Sequence, residues 1–227
     1  MNTQNHHINV LIVDDHPFFR QGLKTVLESI DNLTITGEAE NGKTALLMVE
    51  TLQPDMIFLD LSMPEINGFQ VLEQLQAYPD LKKIIMTSFN DTVYMKKAFE
   101  LGASGFILKD NGQAEMASCV QLVMAGGQYI SPSIQTNKKS HNTLIMDDAK
   151  ALIDTLTKTE LKVMSYLGNF MTSKEIANKM FISYRTVQNH RRNIKQKLEL
   201  SGMHQLTRLA QQYQDEINNF LEQNQDT

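Results

Sequence analysis

The sequence has little cysteine, and this limits how its fold can be held together. Cys119 is the single cysteine among 227 residues, so an internal disulfide is excluded. No apolar run approaches the roughly 20 residues that a membrane-spanning helix needs. The polar start, residues 1–7, also lacks the apolar stretch of a secretion signal. We therefore expect a protein that is neither secreted nor membrane-spanning and that folds in the reducing cytoplasm.

Charge is unevenly distributed along the chain. Residues 1–130 hold 8 Lys and Arg against 16 Asp and Glu, a net charge of −8. Residues 156–214 hold 10 basic residues against 3 acidic ones, a net charge of +7, and residues 215–227 form an acidic tail without a basic residue. An acidic half joined to a basic half indicates two domains with different partners.

Short apolar runs alternate with helical patterns in the first half. The runs are too short for helices and predict strands, while the segments between them carry apolar residues at helical spacing. The predicted strands cover residues 8–13, 33–37, 56–61, 84–87 and 105–108. Pro17 begins the first helix, and residues 114–125 form the last. Five such units predict an α/β fold, a doubly wound five-stranded parallel sheet with helices on both faces.

Chemically active side chains follow these strands. The carboxyl ends of parallel strands meet at one edge of the sheet, where ligands bind. The residues expected there are Asp14, Asp15, Asp60, Thr87 and Lys109. Clustered carboxylates repel one another unless a cation joins them, and oxygen ligands suit Mg²⁺. Asp60 alone is equally well explained as a turn cap, but the full set favours a nucleophile toward a phosphoryl group, assisted by the metal, Lys109 and Thr87.

With these residues in place, positions 1–130 resemble the receiver domain of a two-component response regulator. The motifs that carry the resemblance are Asp14-Asp15, Asp60 before Met63-Pro64 and Gly68, Thr87-Ser88, and the run from Gly105 to Lys109. The resemblance implies a flavodoxin-like fold in which Asp60 accepts a phosphoryl group from a sensor histidine kinase. The domain is then not an enzyme beyond its own phosphotransfer and slow dephosphorylation.

The same resemblance assigns roles to further residues. The implied Mg²⁺ ligands are Asp14, Asp15, Asp60 and the main-chain carbonyl of Ser62. Thr87 is expected to bind the phosphoryl oxygens, and Phe106 to turn inward when Thr87 moves. A Phe106 that is ordinary core stays open as the alternative.

The second half lacks strand-like runs and predicts a small all-α domain at 151–227, joined to the receiver by a polar linker at 131–150. Its helix starts are marked by Thr157 with Glu160, by Thr172 or Ser173, and by Ser183. A short turn at 181–183 joins two of these helices, which is the helix-turn-helix plan, and a last helix is predicted from Met203 to Tyr213 or beyond.

The helix predicted at 184–198 has a basic outer face. Val187, Ile194 and Leu198 share one side and are expected to be buried. The opposite side carries Arg185, Gln188, Asn189, Arg192, Lys195 and Gln196, and residues 184–197 include five basic residues and no acidic one. A basic face is more often only a solvated surface. Its position after a helix and tight turn, with side chains that pair with base edges, favours DNA binding.

Residues 156 to about 213 also resemble the LuxR-type (NarL/FixJ class) DNA-binding domain. The matching motifs are Leu156-Thr157 with Glu160, Lys174 to Ala177, Ile182-Ser183, Thr186-Val187 with His190, and Lys197-Leu198. The resemblance implies base contacts by Gln188, Asn189 and Arg192, phosphate contacts by Thr186, His190, Lys174 and Lys195, and a dimer contact by the last helix. Phe170 stands where the family commonly has glycine, so we expect the bend to shift to Asn169.

The combined interpretation is a cytoplasmic transcription regulator that binds double-stranded DNA as a homodimer, strengthened by phosphorylation from a sensor kinase, without a membrane partner. Two alternatives remain. A DNA-binding protein that ignores phosphorylation would keep the basic helix. A phosphohydrolase of the haloacid-dehalogenase type would also use an aspartyl nucleophile with Mg²⁺, but it carries a second Asp two residues later, where this chain has Ser62.

Overall fold

The computed structural model describes residues 7–63, 65–110, 112–135, 149–200 and 205–224. The chain divides into two compact units, Met1–Lys139 and Ser140–Thr227. Most of the predicted linker lies outside the described residues, so its boundaries stay a prediction. Each unit is described by itself below.

The first unit is a parallel sheet flanked by helices, which confirms the predicted α/β fold. Its strands are β1 Ile8–Val13, β2 Leu33–Ala39, β3 Met56–Asp60, β4 Lys82–Thr87, β5 Gly105–Leu108 and β6 Tyr129–Ile130. Its helices are α1 Pro17–Glu28, α2 Gly42–Leu52, α3 Gly68–Gln74, α4 Thr92–Glu100, α5 Gly112–Met124 and α6 Pro132–Gln135, with a 3₁₀ turn at Leu75–Ala77. The strand order β2-β1-β3-β4-β5-β6 reverses direction between β1 and β3, the place where such sheets form a crevice.

The centre of the sheet is apolar on both faces. All five residues of β3 are buried, which is what a strand covered by helices on either side requires. One layer of the core gathers alternate strand residues with the inner sides of α1 and α5: Val10, Ile12, Leu23, Leu27, Met56, Phe58, Ile84, Met86, Ile107, Met116 and Val120. Asp60 therefore extends from a rigid, fully packed strand.

The sheet has one strand more than predicted. The two residues Tyr129–Ile130 pair with β5, and the Ser131 N–H donates to the Phe106 carbonyl at 2.9 Å. Glu115 on α5 accepts hydrogen bonds from the Ser131 hydroxyl at 3.0 Å and from Tyr129 at 3.3 Å. Burial, reinforced by Glu115, raises the pKa of Tyr129 to about 12, so the phenol remains a donor. A two-residue strand held by such side chains has no periodicity that sequence could reveal.

The second unit is all helical, as predicted. Its helices are α7 Ala149–Thr155, α8 Lys158–Gly168, α9 Ser173–Met180, α10 Tyr184–Lys197, α11 Gln205–Gln212 and α12 Gln214–Gln223. Thr157, Thr172 and Ser183 cap α8, α9 and α10, each accepting a hydrogen bond from the N–H three residues on. Within the described ranges, every helix is too short or too polar to cross a membrane.

The turn between α8 and α9 bends at Phe170, so the predicted shift to Asn169 is wrong. Phe170 has a φ of +57°, whereas Asn169 has a φ of −86°. The Phe170 N–H donates to the Leu167 carbonyl and the Met171 N–H to the Tyr166 carbonyl, both at 3.0 Å, which is the pattern of a left-handed helix end. The Phe170 side chain is 8% exposed, and its burial holds it in a backbone conformation that favours glycine.

The C-terminal segment forms two helices, α11 and α12, where one last helix followed by an acidic tail was predicted. The prediction is wrong for residues 214–223, which are helical and not a tail. Ile217 and Leu221 lie one turn apart on α12 and are buried in the core of this unit. The Ser165 hydroxyl of α8 donates to Asn218 Oδ1 at 2.6 Å. The many acidic residues of this segment suggested a solvated tail. Its narrow apolar stripe, formed by Ile217 and Leu221, packs against α8 in the core of the unit. The predicted start at Met203 lies outside the described residues.

One ion pair, with a buried carboxylate and an exposed ammonium, joins α10 to α8. Lys197 Nζ lies 2.7 Å from Glu160 Oε2, and the Thr157 N–H and hydroxyl donate to the same oxygen at 2.8 and 2.9 Å. Glu160 is 4% exposed. Burial by itself raises the pKa of the Glu160 carboxyl, but the hydrogen bonds and charge of Lys197, with those from Thr157, outweigh it and lower that pKa. The end of α10 is thereby fixed to the start of α8.

Substitutions of Phe170 should separate two contributions to the free energy of unfolding: the strain of its left-handed backbone and the stabilisation by its buried ring. Phe170→Ala loses the buried ring and keeps a left-handed non-glycine residue, whereas Phe170→Gly loses the ring and relieves the backbone. We expect both variants to be less stable than wild type, and the glycine variant to be more stable than the alanine variant by about 1 kcal/mol. Urea unfolding of the three full-length proteins measures this difference. An alanine variant as stable as the glycine variant would contradict the left-handed assignment.

The Glu160–Lys197 pair should make stability depend on pH. Since the pKa of Glu160 is lower in the folded protein than the ordinary 4.5, its contribution is complete above that value and is lost as pH falls through the folded pKa. At pH 7 we expect Glu160→Gln to be less stable by about 1 kcal/mol. The gap to wild type should shrink on acidification below about pH 4.5. Thermal unfolding of both proteins between pH 7 and pH 3 provides the test, and a gap that stays constant would argue against this ion pair.

Candidate functional site

Three acidic residues and a lysine meet at the carboxyl edge of the sheet. Val13 of β1 pairs with Leu59 of β3, so the residues that follow them, Asp14 and Asp60, are neighbours. Lys109 Nζ lies 2.6 Å from Asp14 Oδ2 and 2.7 Å from Asp60 Oδ2. Asp14 and Asp60 are 2% and 1% exposed, so the ammonium neutralises two carboxylates that water scarcely reaches.

The loop after β3 folds tightly against Asp60. A β carbon on Gly68 would lie 2.3 Å from the Asp60 carbonyl oxygen, so this position accepts only glycine. The Gly68 N–H donates to the Leu61 carbonyl at 3.2 Å, and Asn67 and Gln70 form a capping box that starts α3. The start of α3 therefore packs closely against the backbone of Asp60, which explains the need for glycine at position 68.

Lys109 is positioned from two sides. Its N–H donates to the Thr87 carbonyl at 2.9 Å, which extends the pairing of β5 with β4 by one residue. Its ammonium lies 4.6 Å from the centre of the Phe19 ring, a cation–π contact from α1. Only 11% of the Lys109 side chain is exposed. The backbone of the sheet and an aromatic ring together direct the charge onto the two carboxylates.

The carboxyl of Asp60 is electrostatically unusual. Burial raises the pKa of Asp60, Lys109 opposes the rise, and the nearby Asp14 adds to it. Its Oδ2 is engaged by Lys109, while Oδ1 is buried and has no hydrogen-bond partner among the described residues. A carboxylate with a raised pKa is a better nucleophile, and a buried oxygen without a partner leaves an open position for a cation or an electrophile.

A metal ion fits this donor set. Asp14, Asp15, His16 and Asp60 each offer a ligand atom, and these atoms all lie within 4.8 Å of one another. Together with the open Oδ1 of Asp60, an oxygen-rich cluster of this size suits a hard divalent cation. The part assigned to the Ser62 carbonyl stays a prediction.

Three residues at this edge were not identified from the sequence. His16 Nδ1 lies 2.7 Å from Asp15 Oδ1 and 3.3 Å from Asp14 Oδ1. The Arg20 guanidinium donates to the Asp14 carbonyl at 2.6 Å, and Phe19 supports the lysine as described. His16 directly follows the acidic pair and could have been noticed for that reason. The positions of Phe19 and Arg20 carry no such signal, since they depend on how α1 packs.

Thr87 and Phe106 lie on the same side of the sheet. Thr87 pairs with Leu108 and Ile85 with Phe106, and alternate residues of a strand share a face. Both side chains are fully buried, and Thr87 Oγ1 accepts a hydrogen bond from the Phe89 N–H at 3.2 Å. The hydroxyl proton of Thr87 is thus left to donate elsewhere. The switch role of Phe106 stays a prediction.

The second candidate site is the outer face of α10. The residues predicted to be buried, Val187, Ile194 and Leu198, are 0%, 0% and 6% exposed. Among the predicted DNA contacts, Gln188, Asn189, Arg192 and Lys174 are exposed, and Thr186, His190 and Lys195 are half-buried. The α9–α10 turn begins at Phe181, which has a φ of +55° and is 96% exposed. Polar side chains of the types that read DNA therefore share one accessible side of a firmly capped helix.

Not all of the basic residues of α10 belong to this face. The Arg191 guanidinium donates to the Ser173 hydroxyl of α9 at 2.7 Å, and Lys197 is paired with Glu160. Those that point outward are Arg185 and Arg192, with Lys195 partly buried. Burial, followed by the charge of Arg191, lowers the pKa of Lys195. The charge of this face is consequently smaller than the five basic residues of 184–197 suggest.

Both units match known families. Residues 10–121 match the response regulator receiver domain, and residues 154–210 match the luxR family of bacterial regulatory proteins. The α12 helix lies beyond the second matched region.

Curated relatives resemble the chain over nearly its whole length. The uncharacterized transcriptional regulatory protein YhcZ of Bacillus subtilis (strain 168) is 34% identical, over 91% of this chain and 96% of that protein. The response regulator GacA of Pseudomonas viridiflava is 32% identical, over 89% and 95%.

Solved structures show the same architecture. A two-component response regulator of the LuxR family from Aurantimonas sp. SI85-9A1 is 28% identical with a TM-score of 0.55, covering 57% of this chain and 93% of that one. The RcsB response regulator of Salmonella typhimurium is similar in fold, with 21% identity, a TM-score of 0.55, and 90% and 98% of the two chains covered. On these grounds this chain belongs to the LuxR family of response regulators, transcription regulators in which a receiver domain precedes a helix-turn-helix domain.

Proposed function

We propose that Asp60 of this response regulator accepts a phosphoryl group from a phosphohistidine of a sensor kinase in the cytoplasm. Phosphorylation would strengthen a homodimer that binds double-stranded DNA through α10. The receiver would catalyse this transfer to itself and a slow hydrolysis of the product, and no other reaction. The observation that carries the proposal is the contact of Lys109 with both Asp14 and Asp60, beside a buried Asp60 Oδ1 without a hydrogen-bond partner among the described residues.

In the transfer, a carboxylate oxygen of Asp60 forms a bond to phosphorus while the bond from phosphorus to the donor imidazole nitrogen breaks. The electron pair of the broken bond returns to the imidazole. Lys109 is already within reach of Asp60 Oδ2 and would follow the phosphoryl oxygens, and the Thr87 hydroxyl would donate its proton to one of them. Exclusion of water from this buried edge strengthens both interactions.

The residues that would hold Mg²⁺ are Asp14, Asp15 and Asp60, with the carbonyl of Ser62. When bound, Mg²⁺ would neutralise charge on the carboxylates and on the transferred phosphoryl group. His16 lies beside Asp15 and Asp14, so its imidazole would have to leave or share their oxygens when the ion enters.

Phosphorylation adds about −1.5 to −2 charges at Asp60, and this charge would bias the receiver between two states through Thr87 and Phe106. In the DNA-bound dimer, two α10 helices would lie in the major groove at half-sites about one turn, ~34 Å, apart. The contacts of Gln188, Asn189 and Arg192 with bases, and of Thr186, His190, Lys174 and Lys195 with phosphates, belong to this proposal.

Phosphorylation should require both Asp60 and Mg²⁺. After incubation with a small phosphodonor, wild type should gain the mass of one phosphoryl group only when Mg²⁺ is present, and should then dimerise. Asp60→Ala should gain none, because the carboxylate proposed to form the bond to phosphorus is removed. Intact-mass spectrometry with light scattering on the same samples measures both effects.

Asp80→Ala is the matched control for that experiment. Asp80 is exposed and precedes β4, at the opposite edge of the sheet from the acidic cluster. Its loss should change neither phosphorylation nor dimerisation. If wild type gains no phosphoryl group under any of these conditions, the proposed phosphorylation is contradicted. The protein would then be a DNA-binding regulator whose receiver does not accept a phosphoryl group.

The salt dependence of DNA affinity should reflect the number of outward-facing Lys and Arg side chains that contact DNA phosphates. Three or four such residues per protomer give six to eight per dimer, so the logarithm of affinity should fall with the logarithm of salt at a slope of about −5 to −7. Lys174→Ala should reduce the slope by about 2 units per dimer. Lys197→Met should leave it unchanged, because Lys197 is paired with Glu160. Fluorescence anisotropy in increasing salt compares the three, and equal slopes for Lys174→Ala and wild type would contradict this assignment.

A further inference from the structure

The start of α10 contains a hydrogen bond between two of its outward side chains. Gln188 Nε2 donates to the Tyr184 hydroxyl oxygen at 2.8 Å. The two residues are one helical turn apart, and both are exposed. Ser183 caps this turn by accepting the Thr186 N–H at 3.0 Å, so the backbone that carries Tyr184 is fixed. The amide of an exposed glutamine is therefore held in one orientation without a partner from another helix.

This bond determines what the amide offers to a ligand. A glutamine amide has two N–H groups and one carbonyl oxygen. With one N–H given to Tyr184, Gln188 still presents one donor and one acceptor side by side. Adenine presents the complementary pair in the major groove, the N7 acceptor and the N6 amino donor.

The neighbouring outward pair has a different character. Asn189 Oδ1 accepts a hydrogen bond from Arg192 Nη2 at 3.2 Å, so one of the two lone pairs of this amide oxygen is already engaged. The pair therefore presents mainly donors, and guanine, with O6 and N7, is the base that offers two acceptors. The two adjacent outward pairs of α10 thus differ: the amide oxygen of Gln188 has no partner among the described residues, whereas that of Asn189 already accepts one hydrogen bond from Arg192.

We propose that Tyr184 is a positioning residue that fixes the Gln188 amide for the recognition of adenine in the DNA major groove. This inference rests on the proposed binding of DNA by α10. Tyr184 acts through Gln188 and makes no base contact of its own. Its hydroxyl orders the amide before binding, so that less side-chain freedom is lost when the adenine contact forms.

The test begins with the phosphorylated full-length protein and a pool of random duplexes, from which the bound sequences are selected. Gln188→Ala identifies the adenine that Gln188 contacts, as the position where preference disappears. A bidentate amide–adenine contact corresponds to about 5- to 150-fold discrimination against other bases. Tyr184→Phe, which removes only the hydroxyl oxygen that accepts from Gln188, should reduce discrimination at that position about 3- to 10-fold. Affinity for random duplex and its salt dependence should not change.

Two further variants make the result specific. In the Gln188→Ala background, Tyr184→Phe should cause no additional loss, because the group that it positions is absent. Tyr166→Phe, a tyrosine of α8 in the same unit, is the control and should leave discrimination unchanged.

Three outcomes would overturn the inference. Full discrimination in Tyr184→Phe would show that the hydroxyl does not position Gln188. An equal loss in the presence and absence of Gln188 would mean that Tyr184 contacts DNA directly. A wild-type protein that binds no duplex at all would contradict the proposed DNA binding itself, an outcome distinct from the first two.

Discussion

The contact of one ammonium with two buried carboxylates is the interaction on which the acidic edge of the receiver depends. Asp14 and Asp60 end adjacent strands and are almost inaccessible to water, so their charges would repel each other strongly without Lys109. The lysine is held by strand pairing and by the Phe19 ring. A cation so placed stabilises the resting cluster, and in the proposed phosphoryl transfer it would change partners, which would link the packing of the sheet to a chemical step at its edge.

The basic character of the second unit has two different uses. Lys197 and Arg191 hold α10 against α8 and α9 through Glu160 and Ser173. Arg185 and Arg192 face outward, where a polyanion can approach them, and Lys195 is partly buried. Residues of one type on one helix therefore serve either stability or recognition, and only their partners tell the two apart. Counting charge along the sequence overstates the recognition surface, because it includes the residues that fix the helix in place.

Phe170 and α12 show tertiary packing overriding a local signal. A left-handed helix end ordinarily favours glycine, yet the burial of the Phe170 ring stabilises that conformation in a bulky residue. In α12, acidic residues suggested a solvated tail, whereas Ile217 and Leu221 provide enough apolar surface to dock on α8. Both predictions failed because they left out the stabilisation gained when apolar surface is buried against a distant element. The residues of the segment alone do not reveal that burial.

Local sequence patterns suffice to predict the α/β and all-α classes of the two units, the set of side chains at the carboxyl ends of the strands, and the capped helices of the second unit. These features follow from apolar periodicity and capping, which act over a few residues, and from the rule that parallel strands end at a common edge. Three features emerge only when the chain folds: the sixth strand, the approach of His16 and Phe19 to the acidic cluster, and the division of the basic residues of α10 into those that anchor the helix and those that face outward. Each of these depends on distances between residues far apart in the chain, as in the pairing of Lys197 with Glu160, and such distances are fixed only when the elements pack.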